Sequence, residues 1–363
     1  MKATLVNRVR STIDPRDNHP YLNGAWTPMF EEWDAEDLGV EGRLPRDLDG
    51  VYLRTYLKPF LPWLERDEVT EILVNQPGEI WIEASGQPHM QRIDNPEIDD
   101  LLLSRLAAQI ARVAHQGINR ENPLLAASLP TGERVQLVGP PAAKHWALAI
   151  RRHRMVDLSL DAYDRGPIPD TGAKGKRDDL AYARKEPIKF LKEAVQARKT
   201  ILISGGTSSG KTTFLNAMLK TIPENERIIL VEDTPEIADN HANSLRLVAV
   251  KGEMGEARVT INDLLQASLR LRPDRIIVGE IRGEEAVTFL RAINTGHPGS
   301  FTTVHANTPK GALEQIALMV MQSGTQLTRA ETLSYAASLI DVVVQLSRAG
   351  GERIISDIEL PNR

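Results

Sequence analysis

The sequence predicts a two-domain α/β protein in which a small α+β domain precedes an α/β domain with a mostly parallel sheet. From Glu186 onwards, apolar runs of strand length alternate with amphipathic helices, as in parallel sheets covered by helices. Residues 56–153 instead mix short strands with a helix, and residues 154–185 carry the proline, glycine and alternating charges of a linker. A chain of 363 residues is long enough for two such domains.

The composition is that of a soluble globular protein, with 41% hydrophobic and 26% charged residues. A net charge of −5 argues against a surface that binds nucleic acid as a whole, and we predict no sequence-specific nucleic acid partner. The absence of cysteine excludes disulfides and thiolate metal sites, and it fits a reducing cytoplasm. We find no secretory signal and no run of 18 uncharged apolar residues, so we predict no transmembrane segment and a cytoplasmic protein whose membrane contact is peripheral.

Four strands and two helices are predicted in the first domain, a short helix at the start of YLKPFLPWLERDEVTEILVN and a longer one after the second strand. The strands lie in the segments EVTEILVN, EIWIEA, ERVQLVG and WALAIRRH. The longer helix, LLLSRLAAQIARVAHQ, places an apolar stripe on one face, formed by Leu102, Leu106, Ile110 and Val113.

The first candidate functional motif of the second domain is a glycine-rich loop. The strand KTILIS is followed by the loop and then by the helix TTFLNAMLKTI, which matches the phosphate-binding pattern G-x-x-x-x-G-K-[ST] in its required setting. Glycines allow backbone N–H groups to surround phosphate oxygens, and the helix N-terminus adds its positive end. An ordinary glycine turn before a helix is the alternative. The predicted nucleotide-binding residues are Gly205, Gly206, Thr207, Ser208, Ser209, Gly210, Lys211, Thr212 and Thr213.

Two later strands end in acidic residues. Glu232 and Asp233 follow the strand RIILV, and Glu280 follows Ile276–Val278 with one intervening residue, Gly279. Ligands of open α/β sheets bind at the carboxyl ends of the strands, where a carboxylate can orient water or hold a metal ion. Solvation of a strand end is the alternative. Between the two strands, VTINDLLQASLRLR predicts a helix with a capping box at Thr260 and Asp263.

Two histidines flank the next predicted strand, His297 before it and His305 after it. Single histidines are more often structural than catalytic. A pair beside two acidic strand ends can instead sense or stabilise phosphate charge. With no cysteine and no third ligand at a suitable spacing, zinc is not expected.

These four segments, in this order, resemble the motifs of the secretion-ATPase superfamily of type II and type IV secretion and pilus machines. GGTSSGKTT is similar to its Walker A motif, VEDTPEI to its Asp box, RPDRIIVGEIRGEEA to its atypical Walker B motif and GHPGSFTTVHAN to its His box. EVTEILVNQPGEIWIE, LPTGERVQLVGPPA and the strand ending in IRR narrow the resemblance to the hexameric traffic ATPase of type IV secretion and conjugation. The resemblance covers about residues 56–360.

The resemblance implies a RecA-like P-loop NTPase domain that uses ATP and Mg²⁺. It assigns Lys211 to phosphate, Thr212 and Glu280 to the metal ion, and Glu232 to the attacking water. It makes His297 and His305 sensors of the γ-phosphate.

The resemblance also implies a role for two arginines of the first domain. Arg134 in GERV and Arg151 in AIRRH match arginines that reach the nucleotide in the family, although an arginine on a strand is usually a solvated edge residue. The loop departs from the family at Ser208, where glycine is usual; this position varies in the general motif, so we expect binding to survive.

Residues 1–55 do not resemble this family. Their segment HPYLNGAWTPMFEEWDAEDLGVEGRLPRDLDGVYLRT is similar to the opening segment of carotenoid cleavage oxygenases, but the rest of the chain offers no match to the β-propeller or the four iron-binding histidines that those enzymes need. We interpret the segment as a partly disordered leader without an activity of its own.

The resemblance predicts an ATP-driven motor for substrate translocation or pilus assembly. It implies a homohexameric ring at the cytoplasmic face of the inner membrane, with the channel's inner-membrane components as partners and a protein or DNA–protein cargo. The alternatives are a pilus assembly ATPase of the related class, a P-loop kinase, and a nucleotide-gated assembly protein with little hydrolysis.

Overall fold

The computed structural model describes residues 51–87, 89–152, 157–169, 178–207, 209–251, 258–349 and 352–361. All of them belong to one compact unit, Leu44–Arg363. Residues 1–50 of the predicted leader lie outside the described residues, as does Ser208 of the glycine-rich loop. Among the described residues, no helix has the length and apolar character needed to cross a bilayer.

The first domain is an antiparallel sheet of six strands with helices packed on it. Its helices are α1 (Val51–Leu57), α2 (Leu61–Leu64) and α3 (Asp100–Val113), with a short 3₁₀ helix at Lys58–Phe60. Its strands are β1 (Val69–Val74), β2 (Glu79–Ala84), β3 (Gln91–Asp94), β4 (Leu124–Ser128), β5 (Arg134–Val138) and β6 (Ala147–Arg151). The strand order is β3-β2-β1-β6-β5-β4, so the four predicted strands are confirmed and two more complete the sheet.

Helix α3 covers the core of this domain. Asp99 caps it, because its Oδ1 accepts the N–H of Leu102 at 2.6 Å. The buried stripe lies slightly to one side of the predicted one, since Leu102 and Val113 are only partly buried. The fully buried residues of the helix are Leu103, Leu106, Ala107, Ile110 and Ala111.

The predicted boundary at residue 55 falls inside helix α1. Leu53 and Leu57 of this helix are 1% and 2% exposed and belong to the core of the first domain. The hydrophobic core therefore includes residues on both sides of that boundary.

The segment predicted as a linker packs on the second domain in its described parts. It contains a 3₁₀ helix at Leu160–Tyr163 and helix α4 (Asp178–Lys185). Leu160, Tyr163 and Ile168 are buried in the core of the second domain. Buried Arg184 pairs with Asp357 at 2.9 Å, which ties α4 to the end of the chain.

The second domain is a seven-stranded, mostly parallel sheet with helices on both faces. Its helices are α5 (Pro187–Gln196), α6 (Lys211–Leu219), α7 (Ile261–Ser268), α8 (Glu285–Asn294), α9 (Pro309–Gln322) and α10 (Arg329–Leu339). Its strands are β7 (Ile201–Gly205), β8 (Ile228–Glu232), β9 (Ser244–Val248), β10 (Val250–Lys251), β11 (Arg258–Val259), β12 (Arg275–Val278), β13 (Phe301–Val304), β14 (Val342–Ala349) and β15 (Glu352–Glu359). The order in the large sheet is β15-β14-β7-β13-β12-β8-β9, and β10 pairs with β11 as a separate ribbon.

The parallel strands decide where the site forms. All neighbours from β14 to β9 are parallel, and only the edge strand β15 runs antiparallel. Their carboxyl ends therefore meet at one edge, where the loops after β7, β8, β12 and β13 lie side by side. The helix predicted after β8 is confirmed as α7, with its capping box at Thr260 and Asp263.

Candidate active site

The glycine-rich loop joins β7 to the N-terminus of α6. Gly210 has φ +86°, a left-handed conformation that favours glycine, and a Cβ there would overlap the side chain of Arg353. A Cβ at Gly205 would overlap the hydroxyl of Ser209. Both positions thus need glycine, which is the requirement of a loop whose backbone surrounds a phosphate.

Lys211 is the first residue of α6, and its side chain folds back over the loop. It is 8% exposed, and its Nζ donates to the carbonyl oxygens of Gly205 at 3.0 Å and Gly206 at 3.3 Å. Burial lowers the pKa of Lys211, while the negative charge of Glu280 opposes that shift. The ammonium group is therefore held at the loop, where a polyphosphate would replace its carbonyl partners.

His305 lies between this lysine and Glu280. Its Nδ1 is 3.1 Å from Lys211 Nζ, and its Nε2 is 2.8 Å from Glu280 Oε1. Burial lowers the pKa of His305, the positive charge of Lys211 lowers it further, and Glu280 acts in the opposite direction. Three predicted site residues thus form one continuous row.

Glu280 follows β12 and is fixed by its neighbours. Its Oε2 accepts from Arg282 Nε at 2.6 Å. The turn is ordered by Glu285, whose Oε1 accepts the backbone N–H groups of Arg282 at 2.6 Å and Gly283 at 2.9 Å. The Glu280 carboxylate, at one end of the row, is therefore held by hydrogen bonds to its side chain and within its loop.

Glu232 ends β8 and is almost completely buried, at 2% exposure. Its Oε1 accepts the backbone N–H groups of Glu236 and Ile237, both at 2.7 Å, and its Oε2 lies 3.2 Å from Arg246 Nε. Burial raises the pKa of Glu232, while those two backbone hydrogen bonds lower it. The carboxylate is thus engaged in holding the segment that follows β8.

The first domain contributes two adjacent arginines. Arg134 on β5 and Arg151 on β6 are direct partners in the sheet register. Arg134 forms an ion pair with Glu236 of the second domain, and Arg151 Nε lies 3.6 Å from Glu71 Oε1.

These groups line one large cavity, of about 1510 Å³, between the two domains. We call this cavity the cleft. The predicted site residues in its wall are Arg134, Arg151, Thr207, Ser209, Gly210, Lys211, Thr212, Thr213, Glu232, Glu280 and His305.

Comparison with known proteins identifies the family. Residues 57–350 match the model of the family described as Type II/IV secretion system protein. The chain belongs to this family. The Type IV secretion system protein VirB11 of Bartonella henselae is 36% identical over 327 residues, covering 84% of this chain and 91% of that protein. The Type IV secretion system protein PtlH homolog of Bordetella bronchiseptica is 39% identical over 313 residues, covering 82% and 91%.

Solved structures agree on the fold. The pilus retraction motor PilT with bound ADP superposes with a TM-score of 0.59 at 22% identity, over 85% of this chain and 83% of that one. The Legionella pneumophila ATPase DotB gives a TM-score of 0.54 at 17% identity, over 84% and 78%. The predictions of a RecA-like ATPase domain after a small α+β domain, and of a type IV secretion traffic ATPase, are confirmed.

His297 does not join the site of this secretion ATPase. Its Nδ1 lies 3.1 Å from the carbonyl oxygen of Ala292, at the end of helix α8. That helix begins beside the cleft at Glu285, and ten residues of helix span about 15 Å. His297 also precedes β13, whereas His305 follows it, so the two histidines lie at opposite ends of this strand. In the described structure His297 therefore lies at the edge of the sheet opposite the cleft.

Glu236 is the site residue that the sequence did not single out. Its carboxylate accepts from the Thr212 hydroxyl at 3.2 Å and pairs with Arg134. It is the second glutamate of the segment VEDTPEI, four residues beyond the end of β8. In the sequence Glu236 is only a further acid near the end of a strand, and Glu232 lies directly at that end.

Proposed function

We propose that this chain hydrolyses ATP to ADP and phosphate with Mg²⁺, as the motor of a type IV secretion or conjugation system. The observation that carries the proposal is the convergence of Lys211, His305 and Glu280 in one row at the loop. A protein that only binds nucleotide needs the loop alone. Acids and a histidine beside it supply the groups that phosphoryl transfer to water requires.

The residues present fit a magnesium nucleotide. The loop from Gly205 to Gly210 leaves no room for side chains at two positions, and Lys211 adds a cation at its centre. Thr212 and Glu280 offer the hydroxyl and carboxylate oxygens that Mg²⁺ prefers, and both line the cleft. A magnesium ion held by these two residues would supply positive charge against the negative charge of the phosphates.

We assign the water-orienting role to Glu236 rather than to Glu232. Glu232 is 2% exposed, and its Oε1 is engaged by two backbone N–H groups. Glu236 lines the cleft next to Thr212, where its carboxylate can accept a proton from water beside the phosphates. Glu232 then acts as a positioning residue, because it holds the backbone of Glu236.

Arg134 and Arg151 connect the reaction to the first domain. Both line the cleft opposite the loop. Their positive charges attract the phosphates, and this attraction changes when hydrolysis alters the charge of the phosphates. The first domain would close on the bound nucleotide and be released after hydrolysis.

The working form is proposed to be a homohexamer at the cytoplasmic face of the inner membrane. Its partners would be the channel's inner-membrane components, and its cargo a secreted protein or a DNA–protein complex. The relatives named as type IV secretion system proteins support this assignment over the related pilus assembly class.

The test is phosphate release from ATP with magnesium over a range of protein concentrations, with Lys211→Ala as the baseline. We expect turnover that depends on Mg²⁺, rises more than linearly with protein concentration and disappears in the variant. Release that is absent, or equal in the variant, would overturn the proposal. Phosphate transferred to a small molecule, with little free phosphate, would indicate a kinase instead.

A further inference from the structure

The hairpin of β14 and β15 brings an arginine to the glycine-rich loop from the end of the chain. Arg353 is the second residue of β15 and lines the cleft. Its Nη1 lies 3.2 Å from the Thr213 hydroxyl, in the first turn of α6. Its side chain also occupies the space into which any Cβ at Gly210 would point.

Arg353 also brings a positive charge to this part of the cleft. Among the described residues, no Asp or Glu forms an ion pair with Arg353. The neighbouring acid of the hairpin, Glu352, instead pairs with Arg165 at 3.2 Å. A guanidinium group that lines a cleft without an acidic partner is well suited to an anion.

The wall beside Arg353 comes from the segment between the domains. Leu158, Ala162 and Tyr163 line the cleft there. The Tyr163 ring packs edge-on against Phe214, with centroids 4.9 Å apart, and the residue is 2% exposed. Its hydroxyl has no hydrogen-bond partner among the described residues. Burial raises the pKa of Tyr163 to about 12, and the charge of Arg353 opposes the shift, so the phenol stays protonated as a donor.

The groups at the two ends of the glycine-rich loop indicate the direction in which a nucleotide lies in the cleft. Lys211 Nζ, His305 and Glu280 mark the end for the terminal phosphates, since a P-loop lysine reaches the β- and γ-phosphates. Arg353 contacts Thr213 of the first turn of α6 and the space beside Gly210, at the helix end of the loop, where backbone N–H groups surround the α- and β-phosphates.

We propose that Arg353 binds the α-phosphate of the nucleotide and that the wall formed by Leu158, Ala162 and Tyr163 receives the nucleoside. This inference rests on the proposed ATP-binding function and assigns the other half of the same cleft. Arg353 thus contacts a second phosphate group, which a single orthophosphate ion bound at Lys211 lacks. It is thus a binding residue for nucleotide rather than for phosphate in general.

The test is calorimetric titration of the full-length protein with ADP and with inorganic orthophosphate, in the same magnesium buffer. Arg353→Gln should weaken ADP binding about tenfold to a hundredfold, the range for a lost hydrogen bond to a charged group, and change orthophosphate binding by less than about twofold. Arg353→Lys, which keeps the charge, should fall between Arg353→Gln and the wild type. Lys211→Ala should weaken both ligands.

The control is Arg329→Gln, which removes an exposed arginine paired with Glu314 on another face and should change neither affinity. Equal losses for ADP and orthophosphate in Arg353→Gln would mean that the residue only supports the loop, which overturns the inference. Unchanged ADP binding in that variant would overturn it as well. If the wild type binds neither ligand, the proposed function itself fails.

Discussion

Burial shifts the pKa values of single residues in the cleft. It lowers the pKa of Lys211 and of His305, and it raises the pKa of Glu232. A neutral imidazole suits the observed contacts of His305, because its Nδ1 can then accept from Lys211. A protonated ring would instead place two cations 3.1 Å apart.

This arrangement predicts an acid-sensitive contribution of His305 to stability. Because the folded pKa lies below the ordinary 6.5, the unfolded chain binds the proton first as pH falls. The contribution of His305 is therefore complete above pH 6.5 and is lost as the pH falls from there through the folded pKa. The melting temperature of the wild type, relative to that of His305→Asn, should decrease between pH 8 and pH 5.5. A difference that stays constant or grows on acidification would contradict the pKa direction.

The two glutamates after β8 should separate in a kinetic comparison. Glu236→Gln should reduce kcat about a hundredfold or more, the usual size of a lost general base, and leave ADP affinity within a few-fold. Glu232→Gln should act mainly by lowering stability, since the Glu232 carboxylate holds two backbone N–H groups and lies beside Arg246. Steady-state rates and melting curves of both variants provide the check. A fully active Glu236→Gln beside an inactive, stable Glu232→Gln would return the catalytic role to Glu232.

At the scale of elements, a buried arginine ties the amino-terminal ends of the central strands together. Arg275 on β12 is fully buried and binds the Glu226 carboxylate through Nε at 2.6 Å and Nη2 at 3.0 Å. It also donates to the carbonyl oxygens of Val195, at the end of α5, and of Gly299, before β13. Removing one partner of such a buried pair costs about 3–5 kcal/mol.

Gly299→Ala should disturb this network. Gly299 has φ +80°, and a Cβ there would lie 2.7 Å from Arg275 Nη1 and 3.0 Å from the Arg198 backbone. We expect a loss of about 2–4 kcal/mol in urea unfolding, from backbone strain together with the displaced arginine. Gly324→Ala is the matched control, because it has φ +83° and nothing within 4 Å of the added Cβ. It should cost about 1–2 kcal/mol, the backbone term alone. Equal losses of stability in the two variants would mean that the Arg275 side chain moves aside at no cost in free energy.

At the scale of the whole molecule, the cleft joins the domains through charged side chains. Arg134 reaches from β5 to Glu236, and Glu236 also accepts from Thr212 at the loop. One carboxylate thus contacts both the first domain and a predicted metal ligand. Binding at Thr212 would change the partners of Arg134.

Arg134→Gln should therefore affect turnover more than binding. We expect ADP affinity to change by less than about threefold and kcat to fall about tenfold to a thousandfold, as for other lost electrostatic donors. Calorimetry and steady-state phosphate release give the two values. Arg66→Gln is the control within the same domain, because Arg66 pairs only with exposed Glu68 among the carboxylates described in the structure. A loss of affinity as large as the loss of turnover would make Arg134 an ordinary nucleotide ligand.

The sequence by itself determined the fold class, the glycine-rich loop and the position of Glu280. Each depends on neighbours in the chain: strand and helix periodicity, a fixed spacing of glycine and lysine, and an acid just beyond a buried strand. The order of elements then places the loops after β7, β8, β12 and β13 at one edge of a parallel sheet. That is why Lys211, Glu280 and His305 could be grouped before their contacts were known.

Only the tertiary structure decided which side chains face the cleft. It also gave the two glutamates after β8 different contacts, because the Glu232 carboxylate accepts two backbone N–H groups and the Glu236 carboxylate accepts from Thr212. It placed His297 at the far end of β13, and it brought Arg353 to Thr213 across 140 residues of chain. The local sequence determines the hydrophobic periodicity of a helix or strand and the chemistry of the residues at its ends. Contacts between distant residues depend on how the elements pack, and no spacing along the chain encodes them.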